Sequence, residues 1–122
     1  FYRLPQDRSR EYDSNQGIPM EQFVYTLIPT RPEMLTEEPT DKENEIIASH
    51  FSYLSDLRDK GVVKLAGRTT NTDASSFGVV IYEVENEEAA RQIMAQDPAV
   101  KENVLAAKLF PFRIALMGSS GE

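Results

Sequence analysis

One histidine occurs in the 122 residues, His50, and it lies in EIIASHFSYLSDLRDKG, where Ile46, Ile47, Phe51, Leu54 and Leu57 recur with it at steps of three and four. Imidazole is the side chain whose ordinary protonation range spans neutrality, so a positioned histidine can take or give a proton during a reaction. A histidine on an apolar stripe can equally be a packed residue with one ring nitrogen bonded to a carbonyl. A working histidine needs a partner, and Asp97 is the candidate, because it closes the second predicted helix and both helices are expected on one sheet face. A carboxylate accepting Nδ1–H would fix the tautomer, raise the ring's basicity and leave Nε2 for a substrate. Asp97 also precedes Pro98, the usual pairing at a helix start, and the two roles are compatible because one carboxylate oxygen can cap while the other faces the ring.

Arg68, in AGRTTN at the close of the second strand, is placed to hold a carboxylate, enolate or phenolate, although an arginine there can also be merely solvated. With Tyr53 and Phe77 it makes up the expected substrate-binding set. Ser49 lies about 100° around the helix from His50 and is a poor nucleophile partner. With one His and no Cys, a metal site would rest on carboxylates alone, and those in TEEPTDKENE read as a solvated helix start. Gly61 and Gly67 form no dinucleotide-binding glycine loop. No cofactor is expected.

Length suits one domain, and 40% hydrophobic with 27% charged residues is the balance of a folded globular chain. No apolar run approaches the roughly 20 residues that span a bilayer, and a soluble cytoplasmic protein is expected. Net charge is −7. Residues 1–19 carry Arg3, Arg8 and Arg10 against Asp7, Glu11 and Asp13, so the excess acidity belongs to the rest of the chain. Such a surface repels nucleic acid and anionic membranes alike.

Residues 1–19 lack apolar periodicity and read as an arm that Phe1, Tyr2, Leu4 and Tyr12 could anchor. The domain is expected over 20–117, with 118–122 as a tail. QFVYTLIPT predicts a strand over 22–30, and a proline-rich loop leads to a helix capped by Thr40 or Asp41 and stopped by Gly61. Strands follow over 62–69 and 77–85. Asn86 caps a second helix with Ala89, Ala90, Ile93 and Met94 inward, and Asp97-Pro98 restarts a short helical segment to about 103. A last strand runs over 106–116, and Pro111 places it at an edge or bulge.

This order gives an α+β, ferredoxin-like βαββαβ fold with a four-stranded antiparallel sheet and both helices on one face. Phe77, Val79 and Ile81 alternate with Val80, Tyr82 and Val84, so the third strand is apolar on both sides. One helical layer covers only one face, and a homodimer packed sheet to sheet would cover the other.

HFSYLSDLRDKGVVKLAGRT, followed by FGVVIYEVENEEAARQIMAQDPAVKENVLAAKLFPFRIAL, resembles the YciI-like (YCII-related) family of the dimeric α+β barrel superfamily. The likeness covers about residues 22–116 and rests on the helix histidine, the AG after the second strand, the DP after the second helix and the PF of the last strand. It implies a ferredoxin-like subunit, sheet-to-sheet dimers and a cleft holding a His and an Asp, which fall on His50 and Asp97. Many members have AGP where this chain has AGR, so Arg68 makes the cleft more cationic. Function is mostly unassigned in the family. The wider superfamily includes muconolactone isomerases, dehydrochlorinating enzymes and monooxygenases, which points to an isomerase or lyase working by proton transfer. The alternative is a non-catalytic metabolite-binding or regulatory dimer.

Overall fold

Alternating β-branched and aromatic residues build the first strand, β1 (Glu21–Pro29), whose Phe23, Tyr25 and Leu27 point to the core. The structure, a computed structural model, describes residues 19–118. The arm expected over 1–19 therefore lies outside the described residues except for Pro19, as does the tail beyond Gly118.

A short helix, α1 (Glu33–Thr36), follows within the segment expected to be loop. It holds Met34 and Leu35, and the bidentate pair from Arg31 to Glu43, at 2.7 and 2.8 Å, ties this segment to the next helix. That helix, α2 (Asp41–Asp59), starts at Thr40 with a reciprocal capping box, Thr40 accepting from the Glu43 amide and Glu43 from the Thr40 amide. Hydrogen bonds from Arg31, then from the Thr40 backbone, push the Glu43 carboxyl down to about 2. Gly61 ends the helix at φ 82°, a left-handed conformation that costs glycine little. Its N–H donates to Arg58 and that of Val62 to Leu57, the bond pair of a Schellman turn.

The remaining elements are β2 (Val63–Arg68), β3 (Gly78–Val84), α3 (Glu87–Gln96), α4 (Pro98–Lys101) and β4 (Leu105–Phe112). The four strands form one antiparallel sheet in the order β2-β3-β1-β4. This is the α+β, ferredoxin-like arrangement expected, and Pro111 does sit on an edge strand. The last strand is shorter than its apolar pattern suggests. Its final pair is Phe112 with Gln22, one residue from the start of β1, so the partner strand runs out. The Gln22 side chain then takes the next available amide, that of Ile114, at 2.6 Å.

Under the helices, Phe23, Tyr25, Leu54, Val80, Tyr82 and Ala90 belong to the main core. Tyr25 and Tyr82 meet edge to face at 5.5 Å, and the Tyr82 hydroxyl donates to the Ala90 carbonyl at 2.7 Å. On the opposite face Ile28, Phe110 and Phe112 are exposed, beside half-buried Val24, Val79 and Ile81. Phe51 departs from the expected buried stripe at 69% exposed, because it stands at a cavity beside α2 rather than over the sheet. Among the described residues no helix is long and apolar enough to cross a membrane.

Candidate functional site

Pro98 decides where α3 ends. The residue before a proline is pushed out of the helical region, and Asp97 takes φ −59°, ψ 124°. This turns its side chain back over the start of α4, where Oδ1 accepts from the Ala99 N–H at 3.0 Å. The same carboxylate meets His50, midway along α2: Nδ1 lies 2.7 Å from Oδ1 and 2.9 Å from Oδ2. Capping and imidazole contact thus coexist, although both oxygens face the ring.

Oδ2 takes one more donor, the hydroxyl of Tyr25 at 2.7 Å. Asp97 and Tyr25 are both fully buried. Burial, and after it the charge of Asp97, push the Tyr25 phenol well above its ordinary value, so it stays an O–H donor. A carboxylate that already accepts from an amide and a phenol can only accept from the third group, so Nδ1 carries a proton, and in the neutral ring Nε2 has the free lone pair. Tyr25 was not among the residues singled out from sequence. The signal was there, because a tyrosine between Phe23 and Leu27 on a wholly buried face must bring its hydroxyl to a partner.

His50 lines a partly open cavity of about 600 Å³, bordered mainly by α2, the segment carrying α1, β2 and the beginning of β3. Arg68 and Phe77 line the same cavity, while Asp97 stands behind the imidazole. Gly78 is paired with Arg68 across β2 and β3, and a Cβ at Gly78 would come within 3.3 Å of the Gly67 carbonyl oxygen. Tyr53 is not brought into the cavity. Its hydroxyl donates to the Ile93 carbonyl at 2.7 Å, and burial, followed by the Asp97 charge, pushes its phenol up to about 12. Arg58 and Lys64 also line the cavity and were not anticipated. Arg58 could have been found, since residues 50, 54 and 58 fall on one helix face. Among the described residues no cluster of three His, Asp or Glu could hold a metal ion.

Fold and site together define a small α+β protein with a polar dyad at the edge of a partly open cavity. The model of the YCII-related domain matches residues 23–113, and the chain belongs to that family. No curated protein matches it. Among solved structures it is similar to the 5-chloro-2-hydroxyhydroquinone dehydrochlorinase TftG of Burkholderia phenoliruptrix, in complex with 2,5-dihydroxybenzoquinone. That likeness has a TM-score of 0.54 at 20% identity and covers 75% of this chain and 93% of the other, which establishes a shared fold.

Proposed function

We propose that this YCII-related protein is a small-molecule enzyme in which His50 transfers a proton without a cofactor, opening an isomerisation or an elimination. The observation that carries the reading is a cavity-lining imidazole held by Nδ1 on a buried carboxylate, which leaves Nε2 as the base. Nε2 takes a proton from a carbon acid, Asp97 stabilises the imidazolium, and Arg68 holds the anionic end of the substrate, with Phe77 against its apolar or aromatic part. The proton then returns at another carbon, completing an isomerisation, or stays on His50 while an anionic leaving group departs. A dehydrochlorinase on the same fold, bound to a small quinone, supports small-ligand chemistry here by analogy of architecture alone.

The test is the tautomer of the lone imidazole, read from its ¹⁵N shifts. Neutral wild type is expected to show protonated Nδ1 and unprotonated Nε2. Asp97→Asn, which offers an N–H₂ as readily as a carbonyl, should mix the tautomers or reverse them. Wild-type protein with the proton on Nε2 would remove the base.

The homodimer belongs to the same reading. Ile28, Phe110 and Phe112 form with Val24, Val79 and Ile81 an apolar sheet face that no element among the described residues covers. A second copy applied sheet to sheet would bury it on both sides. Light scattering at micromolar concentration is expected to give twice the mass of 13.8 kDa, and Phe110→Asp to give the single mass. A monomeric wild type would end this assignment.

A further inference from the structure

We infer that the cavity takes a hydrophobic monocarboxylate, with its carboxylate on Arg68 and its one- or two-ring body on the apolar wall; this deepens, and rests on, the reading of the cavity as a substrate site. The chain is strongly acidic, with 20 Asp and Glu against 13 Lys and Arg. The cavity inverts that balance: its lining includes Arg58, Lys64 and Arg68 and no carboxylate. A concave site lined by one sign of charge concentrates ligands of the other.

The three cations are not equivalent. The Arg58 guanidinium is engaged by Asp59 at 2.9 and 3.1 Å, and the Lys64 ammonium lies 3.6 Å from Glu83. Among the described residues no ion pair or hydrogen bond engages the Arg68 side chain, which leaves one guanidinium fork for a ligand. A planar fork matches a carboxylate through two parallel bonds, and a single one suits one negative charge better than a phosphate dianion. Apart from His50, Asn44, Ser55 and Ser76, the uncharged side chains of the lining are apolar and disfavour polyhydroxylated ligands. Met34, Leu35, Ile47, Phe51, Phe77 and Leu105 offer a sugar-like hydroxyl no partner to replace its water. The cavity's volume lies within the range that holds small organic ligands, enough for one or two rings.

Arg68 thus determines specificity, and His50 does the chemistry. The test is calorimetric titration of the full chain with 2-naphthylacetate, its primary amide and inorganic phosphate. Naphthylacetate is expected to bind wild type at least about tenfold tighter than the amide, the worth of one charge-assisted pair, and phosphate should not displace it. Arg68→Gln should erase the preference for the acid. Arg68→Lys should keep part of it through charge alone, and Lys64→Gln should leave it intact. Thermal melting of each variant separates lost binding from lost folding. Equal affinity for acid and amide, a preference that survives Arg68→Gln, displacement by phosphate, or no binding of the acid would each overturn the inference. His50→Gln keeps the calorimetric test independent of the proton-transfer reading. Preference for the acid in that variant, with turnover unchanged, would refute the base and leave the carboxylate site standing.

Discussion

Asp97→Ala is expected to lower stability by about 3–5 kcal/mol, the usual consequence of removing one partner from a buried charged cluster. The size follows from what remains. The Tyr25 hydroxyl and the Ala99 amide are both buried and lose their acceptor, and His50 Nδ1–H loses its own at a position only 15% exposed. A buried donor left without a partner costs about 1–3 kcal/mol, so two or three together account for the loss. For a domain of this size the melting temperature should fall by more than about 10 °C. Urea denaturation is the better measurement, because an unchanged slope would show that the native fold, rather than the unfolded ensemble, was affected. Tyr25→Phe removes one donor of three and should cost less, about 1–2 kcal/mol. A loss below about 1 kcal/mol for Asp97→Ala would mean that water reaches the cluster and that the carboxylate is not held as the geometry requires.

His50→Gln is expected to lower turnover about 10²- to 10⁴-fold while leaving the fold in place. Glutamine can still donate an amide N–H to Asp97, so the buried carboxylate keeps a partner, but nothing replaces Nε2 as a proton acceptor. The measurement is deuterium incorporation from D₂O into carbon acids that bind the wild-type protein, followed by NMR beside urea denaturation of both proteins. Exchange at the wild-type rate in the variant would assign the proton transfer elsewhere. Retained affinity with no exchange in either protein would favour a metabolite-binding module, because the cavity would then hold ligands without using the imidazole.

Much of this site can be read along the chain. His50 shares a helical period with apolar residues, and the proline after Asp97 forces a turn whose capping carboxylate is one step from an imidazole on the neighbouring helix. The local rules also place Thr40 at the start of α2, Gly61 at its end and Pro111 on an edge strand. They fail where the deciding contact is distant. The stop of β4 at Phe112 depends on where β1 begins, and the apolar pattern of 113–116 carries no information about that. α1 escapes notice because four residues show no periodicity and its start has no side-chain cap.

What the sequence determined by itself is therefore the four strands, the two longer helices and two candidate groups, His50 and Asp97, because capping, proline geometry and helical period act within a few residues. Only the tertiary structure decided the rest. Tyr25 reaches Asp97 across 72 positions of chain, Tyr53 turns to Ile93 across 40, and Arg68 comes to the cavity of His50 through the pairing of β2 with β3. Those outcomes follow from which buried hydroxyl finds an acceptor and which strands share an edge, and both are settled by packing in three dimensions.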